Sequence, residues 1–215
     1  MIIAIDGPSA SGKSTTAKEV AKRLSIMHLD TGAMYRAVTW GIKQSSINIY
    51  DDNAIKNYLY NIELYFDENN HIYLNNRNVS DVIRTVDISE QVSIISARPE
   101  VRKKMVEIQR KLGREFSCVL EGRDIGTVVF PNAEFKFFLN ADVVIRAKRR
   151  FSELKKKNAK ITFDEILKNI KNRDKMDSSR VHSPLQKAKD AIEIDTTHLT
   201  INNQVDKILE RIKNK

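Results

Sequence analysis

The octapeptide GPSASGKS, Gly7 to Ser14, runs directly out of the apolar segment MIIAID and into an amphipathic stretch. Its spacing, glycine, four residues, glycine, lysine and serine, lets backbone amides close around phosphate oxygens at a helix N-terminus. In a chain of 215 residues the pattern arises by chance in on the order of one sequence in a hundred. The flanks narrow it further. MIIAID is the continuous apolar run of a strand buried on both faces of a parallel sheet. Beyond the loop, Ala17, Val20, Ala21 and Leu24 recur at i, i+3, i+4 and i+7, which is one face of a helix. Strand, phosphate-cradling turn and helix in that order point to an α/β core. Gly7, Pro8, Ser9, Ala10, Ser11, Gly12, Lys13, Ser14 and Thr15 become candidate nucleotide-binding residues. Lys13 is expected to reach the β and γ phosphates, and the Ser14 hydroxyl to meet Mg²⁺.

Buried-strand runs recur at CVLE (118–121), KFFL (136–139) and AIEID (191–195), separated by helical patterns, so the sheet is expected to be mainly parallel. Residues 62–80 break the alternation. There the apolar period is two, with asparagine turns at 69–70 and 75–76, which predicts a small antiparallel insertion. Pro99 suits the start of a helix whose apolar face is Val101, Met105, Ile108 and Leu112. Thr162 and Glu165 form a capping box ahead of Ile166 and Ile170, and Val205, Ile208, Leu209 and Ile212 mark a closing amphipathic helix. No internal repeat or low-complexity linker interrupts the chain.

A net charge of +9 implies anionic partners, whether nucleic acid, membrane surface or phosphorylated small molecules. The densest basic stretch, 146–157, alternates with apolar positions at helical spacing, as a solvated helix face does. The one cysteine, Cys118, lies in an apolar run and reads as a buried structural thiol in a reducing compartment. His28, His71, His182 and His198 lack ligand-like spacing, so no metal held by protein alone is expected. Apolar runs fall far short of the ~20 residues that span a bilayer, and the N-terminus lacks the pattern of a signal peptide, so a cytoplasmic location is expected.

A phosphate loop alone does not name a reaction. A GTPase needs a base-reading Asn-Lys-x-Asp run after a buried strand, which is missing, and a helicase or motor needs far more chain. Small kinases remain. Beyond the loop, the strings LDTGAMYR (29–36), Val101 and Arg102 in a helix ending in QR, EGRDIGTVVFP (121–131), RAKRR (146–150) and RDKMDSSR (173–180) spread over nearly the whole sequence. Together with GPSASGKST (7–15) they resemble the bacterial cytidylate kinase family, P-loop nucleoside monophosphate kinases. Thr31 stands where serine is frequent in that family and keeps the hydroxyl.

The resemblance implies a P-loop NTPase three-layer fold with a mainly parallel sheet in a single kinase domain. The monophosphate-binding part falls at about 31–112, with the β insertion at 62–80 and a short mobile lid at about 146–158. It implies transfer of the γ-phosphoryl group of MgATP to CMP or dCMP by a monomer that binds neither nucleic acid nor membrane. Asp124 is expected to accept from the cytosine N4 amine, with Ser93 and Arg102 on the remaining base edge. Thr31, Arg36 and Arg123 are expected at the acceptor phosphate with Tyr35 beside it, and Asp177 and Arg180 at the acceptor sugar and phosphate. Arg149, Arg150 and Arg173 are expected to close on the transferring group, since the guanidinium fork grips phosphate oxygens bidentately. Each arginine taken alone is more often a solvated surface residue. Glu121 fits a Mg²⁺-bound water or, equally, a cap or ion pair. The rivals are UMP or AMP as acceptor, or a nucleic-acid-binding ATPase.

Overall fold

The computed structural model describes residues 1–156 and 161–214. Strand β1 (Ile2–Asp6) leads through the glycine loop into helix α1 (Lys13–Leu24), and β2 (Met27–Asp30) leads into α2 (Thr31–Gln44). Helix α3 (Asp52–Tyr60), strands β3 (Leu64–Phe66), β4 (Ile72–Leu74) and β5 (Arg77–Asn78), and helices α4 (Val86–Ala97) and α5 (Pro99–Glu115) follow. The chain continues through β6 (Cys118–Gly122), β7 (Phe135–Asn140), α6 (Val143–Lys155), α7 (Phe163–Ser178), β8 (Ile192–Asp195) and α8 (Ile201–Lys213). It divides into two compact units, one of Met1–His28 with Phe116–Lys215, the other of Leu29–Glu115.

The first unit is built on a five-stranded sheet in the order β2-β6-β1-β7-β8. The β1–β6, β1–β7 and β7–β8 pairs are all parallel. Ile3, Ala4 and Ile5 are fully buried, as a central strand covered on both faces requires. Ile3, Ile5, Val119, Phe137 and Leu139 pack with Ala17 and Val20 of α1 and with Val205 and Ile208 of α8. A second cluster joins α6 and α7 through Ala147, Ile166 and Ile170, and the loop residue Ala10 packs on it. The capping box at Thr162 and Glu165 is formed. Cys118 is buried, and burial pushes its thiol up to about 12, which keeps it protonated and inert.

Two features of this sheet depart from the sequence pattern. The segment MHLD forms a fifth strand, hidden in the sequence because only Leu29 of its four residues is fully buried. Strand β8 is an edge strand, with Ile194 buried and Ile192 39% exposed, so its apolar run covers one face only.

The second unit wraps α2, α3, α4 and α5 around a separate core that includes Met34, Val38, Ile42, Ile55, Ile95, Val101 and Met105. Strands β3, β4 and β5 form an antiparallel sheet, with Leu64 opposite Leu74 and Phe66 opposite Ile72. Its turns use Asn70, Asn75 and Asn76 at positive φ, which asparagine tolerates better than other side chains with a Cβ. Among the described residues no helix is long and apolar enough to cross a membrane.

Candidate active site

Parallel register brings the C-terminal ends of β1, β6, β7 and β8 to one sheet edge: Asp6 pairs with Gly122 and with Phe138, and Asn140 with Asp195. Open α/β sheets bind ligands at that edge. The loop from Gly7 to Gly12 leaves it. At Gly7 the backbone passes so close to β7 that an added Cβ would lie 2.1 Å from the Leu139 carbonyl oxygen. Gly12 has φ +94°, a left-handed value that L side chains rarely adopt, and it starts α1 with no side chain capping the helix amides.

Three carbonyls of this loop, those of Pro8, Ser9 and Ser11, receive side-chain donors. Lys13, buried, donates from Nζ to Pro8 O at 3.1 Å. Arg146 donates to Ser9 O at 3.1 Å and to Asp174 at 2.6 Å, and Thr196 Oγ1 donates to Ser11 O at 2.8 Å. Thr16, one turn into α1, donates to the Gln204 amide oxygen at 2.7 Å. With these three carbonyls turned onto protein donors, the amides of the strand-to-helix turn are the groups suited to an anion.

Beside the loop, Asp6 accepts from the amides of Ile125 and Gly126 at 2.9 and 2.8 Å. These bonds fix a single π turn, Ile125–Val129, whose first carbonyl belongs to the buried Asp124. The Asp6 carboxyl is pushed up to about 6, chiefly by burial and further by the Asp124 charge, against the two amides and Arg123. The folded chain therefore holds this proton to about pH 6, whereas the unfolded chain releases it near 3.8. Between those values the folded state binds more protons, so stability falls as pH rises, and the loss is complete above about pH 6. Urea unfolding of wild type and Asp6→Asn should show the wild type's relative advantage shrinking by on the order of 3 kcal/mol from pH 4 to 6.5. A constant difference across that range rules the assignment out.

Arg123 donates from Nε to Asp177 at 2.8 Å, and Arg180 donates to the other Asp177 oxygen. Burial works to raise Asp177, but Arg123 and Arg180 hold it below the usual carboxylate range, with Arg173 acting in the same direction. Arg149 binds the Thr196 carbonyl at 2.5 Å and that residue's hydroxyl at 3.1 Å, while Arg150 pairs with Glu153 on its own helix. Arg146 and Ala147, at the head of the stretch read as a lid, are buried in α6. Residues 157 and 158, at its end, lie outside the described residues. Glu121, 2% exposed, accepts from Ser14 Oγ at 2.5 Å and from His28 Nε2 at 3.1 Å. Among the described residues no three or more His, Cys, Asp or Glu group to hold a metal.

The second unit carries the remaining residues. Asp30 caps α2 by accepting from Ala33 N at 2.9 Å and receives Arg36 Nη2 at 3.1 Å. Buried Thr31 begins the same helix. Arg102, buried on α5, donates to Ser96 O at 3.2 Å, and its guanidinium stands 5.4 Å from the Tyr35 ring centroid. Ser93 is buried on α4. Sequence patterns did not single out Asp6, Thr196, Gln204 or His28 as supports of the loop.

The cytidylate kinase family model matches residues 3–214. The cytidylate kinase of Halalkalibacterium halodurans is 46% identical, covering 100% of this chain and 98% of its own. That of Cytophaga hutchinsonii is 50% identical over 97% of this chain and 92% of its own. Among solved structures, a shikimate kinase from Bacteroides thetaiotaomicron superposes with a TM-score of 0.50 at 11% identity, over 99% of this chain and 98% of that one, a likeness of fold. The phosphate loop on β1, the buried Asp124 beside Arg123 and a family match spanning both units agree: this chain belongs to the cytidylate kinase family.

Proposed function

We propose that the chain transfers the γ-phosphoryl group of ATP, bound with Mg²⁺, to CMP or dCMP, forming CDP or dCDP and ADP in the cytoplasm. The observation that carries this is the pair Arg123–Asp124, an anchored cation and a buried carboxylate that follow β6 at the sheet end from which the phosphate loop leaves. Asp124 accepts from the N4 amine of cytosine, which uracil replaces with an acceptor. Ser93 and Arg102 take the other base atoms, as the family resemblance implies. Arg123, Thr31 and Arg36 hold the acceptor phosphate beside Tyr35, and a buried Arg36 Nε with no partner among the described residues suits that task. Asp177 and Arg180 take the sugar side.

The Ser14 hydroxyl is a hard oxygen donor of the kind that holds Mg²⁺ together with substrate phosphates, and it rests on the Glu121 carboxylate at 2.5 Å. When bound, the cation neutralises phosphate oxygens. Lys13, Arg149, Arg150 and Arg173 add positive charge to neutralise the negative charge that shifts over the phosphoryl oxygens in transfer. The acceptor is already an anion, so the residues position and neutralise, and none needs to remove a proton.

A coupled ADP-release assay against CMP, dCMP, UMP and AMP tests the assignment. Turnover with CMP or dCMP should exceed that with UMP or AMP by at least about tenfold in kcat/KM, the scale of one discriminating base contact. Oligonucleotides should not stimulate ATP hydrolysis. Stimulation by DNA or RNA with silence toward every monophosphate would overturn it.

A further inference from the structure

Glu121 sits on a strand whose five residues are all buried, where a carboxylate persists only if its oxygens find donors. The two oxygens face different elements. Oε2 accepts from Ser14 at the head of α1, and Oε1 from the His28 ring on β2, with the histidine side chain 11% and the carboxylate side chain 3% exposed. A carboxylate offers acceptors only, so the ring nitrogen at 3.1 Å carries the proton of that bond. The last torsion of a glutamate is broad, and a fixed donor on one oxygen sets where the other points. Ser14 spends its single hydroxyl proton on Oε2, which leaves its lone pairs, on an exposed residue, for a cation.

Resting on the assignment of Ser14 to Mg²⁺ above, we propose that His28 is a positioning residue for the cation that accompanies ATP. Its ring N–H holds the Glu121 carboxylate so that Oε2 stays on the Ser14 hydroxyl and keeps that oxygen's lone pairs aimed outward. Glu121 stands directly behind the Ser14 oxygen and His28 holds Glu121; losing the groups that orient a ligand commonly changes metal affinity or activity by 10- to 100-fold. Without the ring, Glu121 loses a donor and is freer to turn away from Ser14.

Calorimetric titration of ADP, with Mg²⁺ and with a chelator, isolates the increment in nucleotide affinity due to the cation. In His28→Leu that increment should fall by about tenfold or more while metal-free ADP affinity stays within about twofold of wild type. His28→Gln, which keeps an amide donor, should restore most of it, and Ser14→Ala should abolish it. If Leu unfolds the strand, His28→Asn, whose donor arm is shorter, should show the same selective loss. An undiminished increment in His28→Leu overturns the proposal, as does an equal loss with and without Mg²⁺, which marks a purely structural role. If Ser14→Ala keeps the increment, the Ser14 assignment fails and carries the proposal with it. If Ser14→Ala loses it while His28→Leu does not, only the proposal about His28 fails.

Discussion

Lys13→Ala should lower phosphoryl transfer to CMP by at least about a hundredfold, the scale for removing one preorganised donor from a site of developing charge. Stability should barely move. Lys13 Nζ donates to the Pro8 carbonyl of its own loop, a bond across five residues that joins no separate elements. Its loss costs on the order of 1 kcal/mol, which in a chain of this length shifts Tm by about 2–4 °C. The braces from Arg146, Thr196 and Gln204 keep the loop in place without it. Steady-state kinetics with scanning calorimetry decide the matter. Full turnover, or a Tm drop beyond about 10 °C, would show that Lys13 holds the fold and not the phosphates.

The loop was legible because its requirements are local. A buried strand, two glycines and a helix beginning at Lys13 are contiguous in sequence, and each glycine meets a constraint visible in the backbone: the approach to Leu139 at Gly7 and positive φ at Gly12. The β insertion was legible for the same reason, its asparagines falling at the turn positions. What holds the loop was not legible. Gln204 lies 188 residues from Thr16, and its only trace in the sequence is a polar side chain on the face of α8 that also carries Val205 and Ile208. Thr196 follows an edge strand whose pattern resembled a buried one. His28 and Glu121 meet across 93 residues, and neither segment carries a spacing that announces the pair. Contacts closed by the sheet's strand order leave no periodic signature. The arginines show the same limit from the other side: the family resemblance singled out Arg150, which pairs with its neighbour on α6, and passed over Arg146, which is buried and braces the loop.

Replacing Asp124 with Asn should shrink the CMP to UMP ratio of kcat/KM by about one to two powers of ten, because a base contact of this kind is worth roughly 1–3 kcal/mol. An ionised Asp124 meets the O4 acceptor of uracil with another acceptor, leaving two buried oxygens facing each other. The amide of asparagine can turn to donate to O4 or to accept from N4, so it loses the grounds for preference. The turn survives the change, since the Asp124 carbonyl receives Val128 and Val129 and Asp6 holds the next two amides. Arg123→Gln should act differently. The guanidinium is anchored on Asp177 and, in the proposed reading, serves the phosphate that every acceptor shares, so kcat/KM should fall for CMP and UMP together with the ratio preserved. The two neighbours thus separate base reading from phosphate holding, provided both variants keep a wild-type circular dichroism spectrum. If Asp124→Asn slows CMP and UMP equally, the carboxylate does not read the base, and its burial beside Asp6 serves instead to support Arg123.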